Sequence, residues 1–190
     1  TNQTVTMNVP ATVGTVTFNA ADAYTFDGSN TLTLGGTMTQ GGAGTVDLAS
    51  TVAIDLGGAT RALAGAGAGQ VTINGVVSNG GISVTGSDWR LTNTANSFGT
   101  GATVTGGMLT AEATAGDLDL REGAAGVLGN NATTTINGGT LTLKAAAASA
   151  ISFSSGGSSR RTIDFGTNGG TMVIGSPLTN SSSRYLIVNA

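Results

Sequence analysis

The feature that most limits what this chain can fold into is a phrase of two glycines followed by a short strand-like run. It occurs as Gly35-Gly36-Thr37-Met38-Thr39, Gly106-Gly107-Met108-Leu109-Thr110, Gly138-Gly139-Thr140-Leu141-Thr142 and Gly169-Gly170-Thr171-Met172-Val173. The last three copies begin 32 and 31 residues apart. Glycine pairs open turns, and runs alternating apolar with small polar residues read as strands with one buried face. The stretch from Asn79 to Thr110 uses the same grammar: Ile82-Ser83-Val84-Thr85, Trp89-Arg90-Leu91-Thr92 and Thr103-Val104-Thr105 are separated by Gly, Asn and Ser. Strands inside a repeat of this length predict stacked turns of chain rather than a closed globule built around an active site.

Composition narrows the class. With 32 glycines and 4% aromatics among 190 residues, the core must be slim and aliphatic. Charged residues make up 9%, against the ~25% of ordinary soluble domains. No apolar run approaches the ~20 residues of a membrane-spanning helix, so polarity is carried by hydroxyls and amides. Lys144 is the only lysine and the net charge is -3, which leaves no cationic surface for nucleic acid. The absence of cysteine and histidine removes disulfides, thiolate and imidazole metal sites, and the serine-histidine triads. The sequence opens at Thr1 with no basic, apolar leader, so an export signal is expected to lie outside these residues.

In chain order, strands are expected at Val5–Val9, Val13–Phe18, Tyr24–Phe26, Thr31–Leu34, Val46–Leu48 and Val52–Leu56, with Pro10 and Asp27-Gly28 as breaks. Asp47 and Asp55 fall on the solvent face. Gly65-Ala66-Gly67-Ala68-Gly69 has the glycine density of a phosphate loop. The strand Gln70–Ile73 follows it instead of a helix, so it is read as a tight corner. Asn74-Gly75, Asn79-Gly80, Asn137-Gly138 and Asn168-Gly169 are read as corners needing left-handed backbone, with asparagines able to bond from one level to the next. Lys144–Ala150 is read as either one short helical turn or a small-residue side, and Pro177 as a further corner.

The order Gly81-Ile82-Ser83-Val84-Thr85-Gly86, Trp89-Arg90-Leu91-Thr92, Asn96-Ser97-Phe98-Gly99, Ala102–Thr105 and Gly106-Gly107-Met108-Leu109 resembles the autotransporter-associated β-strand repeat of bacterial surface and secreted passenger proteins. Similar pieces flank it: Gly14–Phe18 with Thr31–Gly36 upstream, and Val127–Asn130 with Ile136–Leu143 downstream. The resemblance implies a right-handed parallel β-helix at the cell exterior and brings no catalytic residues. It departs from the family's pattern at Ser87-Asp88-Trp89-Arg90, which occupies the usual glycine-rich lead before the strand at Leu91, and no membrane barrel or anchor segment is read in these residues.

For chemistry, the best constellation is Asp117 and Asp119 with Glu122, acids at strand spacing that could hold calcium or serve a glycosidic bond. Arg121 on the same face favours a simpler reading as a solvated charge ladder. Trp89 is read as packing rather than a sugar platform, as are Tyr24 and Tyr185. Lys144 is the one amine available for an amide crosslink to an acid or asparagine.

These readings converge on one all-β domain over residues 1–190, a right-handed parallel β-solenoid of roughly eight or nine coils at ~20 to 25 residues each, ~40 Å long. Inward residues are expected to include Leu32, Leu34, Val52, Ile54, Val71, Ile73, Ile82, Val84, Leu91, Val104, Leu109, Leu141, Leu143, Ile163, Phe165 and Ile174, with threonines outside. The function expected is a non-enzymatic, extracellular or cell-surface structural protein that binds itself end to end or by strand exchange in a fibre, sheath or matrix. The alternatives are an adhesin segment binding polysaccharide or a host surface, and after it a polysaccharide-cleaving enzyme. No cofactor is expected.

Overall fold

The computed structural model describes residues 2–120, 125–130, 133–152, 161–179 and 186–189. Within them the protein is all-β: 57% of residues lie in strands and there is no helix. Every pairing between strands is parallel. Parallel neighbours cannot be joined by a hairpin, so a dozen or more residues must pass before the chain lies beside itself again. Here that distance is filled by other strands.

Three ladders result. The first stacks Gln3–Thr6, Tyr24–Asp27, Val46–Leu48, Gln70–Ile73, residues 88–91 of Val77–Leu91, residues 108–112 of Ala102–Glu112, Thr140–Lys144 and Thr171–Ile174. The second runs through Ala11–Val13, Thr31–Leu34, the start of Ala53–Gly65 and Val77-Ser78, then crosses by a single bridge from Ser78 to Ser97. The third joins Val16–Phe18, Met38–Gln40, the end of Ala53–Gly65, residues 81–84, residues 102–104, Thr133–Ile136, Arg161–Phe165 and Leu186–Asn189. The chain visits the first ladder eight times, and each visit begins one pass.

Successive first-ladder partners Gln3, Tyr24, Val46, Val71, Trp89 and Leu109 are 18 to 25 residues apart; Leu141 and Met172 follow after 32 and 31. The longer passes contain a detour. Between the first and second sides they add Leu118–Asp119, Ile151–Ser152 and Leu178–Thr179, which pair with one another as a separate three-stranded sheet. The sixth pass rejoins the second side where the Gly126 amide donates to the Asn96 carbonyl at 3.0 Å.

Packing follows from the period of two. Thr31–Leu34, Gln70–Ile73 and Thr133–Ile136 alternate half-buried with buried along the strand. Because partners share a register, one buried position becomes a column through the protein. Val46, Val71, Trp89, Leu109 and Leu141 form such a column on the first ladder, all at most 2% exposed. Each buried side chain contributes about 1.5–3 kcal/mol relative to leaving it in water. Trp89 is fully buried and its indole N–H donates to the Gly86 carbonyl at 2.9 Å, which makes it a packing residue.

The glycine-rich corner follows the third ladder. A Cβ on Gly67 would lie 2.2 Å from the Gly42 carbonyl oxygen, and one on Gly69 would lie 2.0 Å from that of Gly44. Backbones approach too closely for any side chain, so Gly65–Gly69 is a corner set by stacking. Ser87 occupies the equivalent place on the next pass with φ 57°, a conformation that favours glycine. Its hydroxyl compensates by donating to the carbonyls of Gln40 and Gly67 at 3.1 and 3.2 Å.

Several expectations are corrected. Val13–Phe18 is two strands, Ala11–Val13 and Val16–Phe18, because the chain turns from the second ladder to the third between them. Ile174 is 38% exposed, since the last pass has a neighbour on one side only among the described residues, and Phe165 is half-buried at the end of its strand, where the described register with the last pass stops at Asp164. Asp55 is half-buried rather than exposed, accepting from the Gly57 amide and the Asn79 side chain. Lys144–Ala150 makes no helical turn: Ala145 is buried, Ala148 has φ 61°, and the Ser149 amide closes a turn onto the Ala146 carbonyl. Asn79, Gly80, Gly138 and Gly169 have the expected positive φ, whereas Asn74-Gly75 does not. Gly75 is needed for a different reason, because a Cβ there would sit 1.7 Å from the Val52 carbonyl oxygen. Threonines are not confined to the outside: Thr92, Thr110 and Thr134 are buried.

Candidate functional site

The acidic constellation is only partly described. Asp117 is exposed just before the detour strand Leu118–Asp119 and accepts the Ala150 amide at 2.9 Å, so one oxygen ties two passes together. Asp119 is half-buried, with Leu118 and Leu120 buried on either side. Glu122 and Arg121 lie outside the described residues, as does Tyr185. Among the described residues no three His, Cys, Asp or Glu side chains converge as a metal site would require.

A different cluster lies nearby. Glu112 Oε2 is 2.9 Å from Arg90 Nε, and Glu112 Oε1 is 3.3 Å from Lys144 Nζ. Arg90, Glu112 and Lys144 sit on the fifth, sixth and seventh passes, so register alone brings these charges together. Lys144 thus stands beside an acid, as a crosslinking amine must, but the contact is an ion pair and the lysine side chain is 51% exposed.

The corner asparagines bond between levels. Asn74 donates to Asp47 from one side and accepts the Thr92 hydroxyl at 2.7 Å from the other. Asn93 donates to the Asn74 carbonyl at 2.8 Å, and Asn137 accepts the Asn168 amide at 2.8 Å. These ties have a structural role.

Three shallow depressions adjoin these residues, two in the segments that follow the first ladder and one on the outer face of the ladder's own strands. The largest, about 980 Å³, runs along the detour between Glu112, Thr114, Asp117, Lys144, Ser176 and Thr179, over the alanines of residues 145–148. A second, about 460 Å³, is lined by Ser50, Asn74, Thr92, Asn93, Thr94 and Thr114 with Ala115. A third, about 360 Å³, reaches from Gln70 and Arg90 to Glu112 and Lys144.

Sequence reasoning missed the buried polar residues. Asn96 is fully buried, accepts the Val77 amide at 2.8 Å and donates to the Val127 carbonyl at 3.0 Å. Gln40 is 1% exposed and donates to the Gly44 carbonyl at 2.6 Å. Arg161 is 2% exposed and donates to the Gly129 carbonyl at 3.0 Å. The only signal for Asn96 is its place beside Phe98 in a run otherwise read as a turn.

No helix among the described residues is long and apolar enough to cross a membrane. No family model, curated protein or solved structure matches the chain.

Proposed function

We propose that the three ladders are the sides of a right-handed parallel β-helix of the autotransporter-repeat kind, and that the protein is a non-enzymatic, extracellular structural subunit that stacks on copies of itself. The observation that carries this reading is where apolar surface is left uncovered. Among the described residues, the large hydrophobic side chains that stand exposed are Val5, Val9, Val173, Ile174, Leu178 and Val188. All belong to the first or last pass, and the partners of Ile174, Leu178 and Val188 on the preceding pass, Leu143, Ile151 and Ile163, are buried. Among the described residues, the strands there, Gln3–Thr6 at one end and Thr171–Ile174 and Leu186–Asn189 at the other, have a ladder partner on one side only. An open parallel edge is a template for another strand of the same direction. The first-pass edge facing the last-pass edge of another copy gives a head-to-tail contact, which propagates into a filament instead of closing as a dimer.

Substitution of one end at a time tests this. Electron microscopy and sedimentation velocity across a concentration series should show rods lengthening with concentration. Val5→Lys and Leu178→Lys should each stop growth, and an equal mixture of the two should stop at pairs, because each retains one working end. A monomer at every concentration, or filaments unaffected by both substitutions, would refute the proposal.

A further inference from the structure

We infer that the outer face of the first ladder and the flank that follows it form a binding trough for an extended, uncharged polysaccharide chain. The three depressions are one surface: the 460 and 980 Å³ grooves share Thr114, and the 980 and 360 Å³ grooves share Glu112 and Lys144. Polar residues line it on six consecutive passes, within the segment that follows each first-ladder strand: Ser50, Asn74, Thr94, Thr114, Ser149 and Ser176. From the third pass to the eighth there are five steps of ~4.8 Å, so the trough extends about 24 Å along the ladder axis.

The detour makes this a trough rather than a flat flank. From the sixth pass onward the chain leaves the first ladder through residues 113–117, 145–150 and 175–177 to reach its side sheet. That wall stands beside Glu112 and Lys144. Thr114 and Ala115 also close the trough's narrower arm against Asn74 and Thr94.

The lining selects the ligand. Its charged side chains are Arg90, Glu112, Asp117 and Lys144, two of each sign. Glu112 lies between the two cations, and Asp117 holds the Ala150 amide. An anionic or cationic polymer therefore meets no excess of opposite charge. The asparagines are fixed from within: Asn74 bonds Thr92 and Asp47, and Asn93 bonds the Asn74 carbonyl and the Ala95 amide. The Ser50, Thr94 and Thr114 hydroxyls have no hydrogen-bond partner among the described residues and face the groove. Hydroxyls that both donate and accept, spaced over the third, fifth and sixth passes, match a chain of neutral sugars whose own hydroxyls recur along its length. Contacts of this kind are repeated weak hydrogen bonds, so affinity rises with chain length.

This site is on the flank and is independent of end-to-end stacking. The test is affinity electrophoresis and calorimetry with three soluble probes: a neutral β-glucan, a neutral α-glucan and alginate as the anionic control. At least one neutral glucan should bind, more tightly as its length increases and with little change between low and high salt. Thr114→Arg, at the shared junction, should weaken binding about tenfold or more. Thr85→Arg, on an exposed third-ladder position, should leave it unchanged. Filament growth should be the same in both variants, so failure of stacking and failure of the trough are read separately. Binding to none of the probes, binding to alginate alone, or full binding by a folded Thr114→Arg protein overturns the inference.

Discussion

Asn96 provides the sharpest test of how the passes are held together. Its side chain is wholly buried and bonds backbone groups 19 residues before and 31 residues after it, the Val77 amide at 2.8 Å and the Val127 carbonyl at 3.0 Å. Asn96→Ala removes both bonds and leaves a buried donor and a buried acceptor. Each unpaired group costs about 1–3 kcal/mol, giving about 2–6 kcal/mol in all. That is a large share of the about 5–15 kcal/mol by which a domain is stable. Equilibrium denaturation in urea should show the loss as a lower midpoint, and amide exchange at Val77 should accelerate. Asn96→Asp adds a second readout. Its carboxylate can still accept from Val77 but cannot donate to Val127, and burial raises its folded pKa above the ordinary ~3.9. A group whose pKa is raised on folding contributes most below its unfolded pKa and loses that contribution as pH rises through the folded value. Measured against the parent at each pH, the Asn96→Asp deficit should therefore be smallest below about pH 4 and grow upward, while the Asn96→Ala deficit stays flat. A loss under about 1 kcal/mol for Asn96→Ala with unchanged Val77 exchange would refute the bridging role.

The remaining predictions concern the corners and the charge cluster. Gly75→Ala should cost about 3 kcal/mol or more by thermal or urea denaturation, because its Cβ meets the Val52 carbonyl oxygen at 1.7 Å. Gly14→Ala, where nothing lies within 4 Å, should be neutral or raise stability by up to about 1 kcal/mol. Ser87→Ala should destabilise by about 1–2 kcal/mol, since it keeps the left-handed backbone but loses the bonds to the Gln40 and Gly67 carbonyls; Ser87→Gly should cost less by the same measurement. Glu112→Gln should cost about 1 kcal/mol at low salt, and that cost should shrink in ~1 M salt, as expected for an ion pair between partly exposed groups.

The strands and their inward faces were legible because period two is a local signal. Leu32 and Leu34, Val71 and Ile73, and Leu141 and Leu143 announce a buried face within four or five residues, and all six are buried. The spacing of the repeated phrase was legible too: Leu109, Leu141 and Met172, taken from its last three copies, stack in one column. The first copy shows the limit. Met38 belongs to the third ladder, not the first, because two glycines and a strand specify a corner without specifying which corner. The charge cluster and the trough were not legible, since Arg90, Glu112 and Lys144 are 22 and 32 residues apart and meet only through register. Asn96 was hidden for the same reason, its partners being one pass away on either side.

A fold made by translation gives every interior pass nearly the same environment, so functional differences must come from places where the translation is broken. The structure breaks it in two ways. At the end passes the columns lose a neighbour, which exposes Val5 on one side and Leu178 on the other. At the sixth pass the circuit lengthens, and a wall rises beside a flank that is otherwise flat. The first break exposes apolar side chains and strand edges with one partner among the described residues, which the proposed stacking would cover with another copy. The second creates a hydroxyl-lined trough with balanced charge, whose complement is a neutral, hydroxyl-rich chain. Because the end contact lies along the axis and the trough lies beside it, stacked copies would carry their troughs on the outside of the filament. A stacked filament should therefore bind a long glucan more tightly than a single copy blocked by Val5→Lys, through several troughs engaging one chain. Equal affinity in the two forms would mean that the troughs of neighbouring copies do not act on the same strand of sugar.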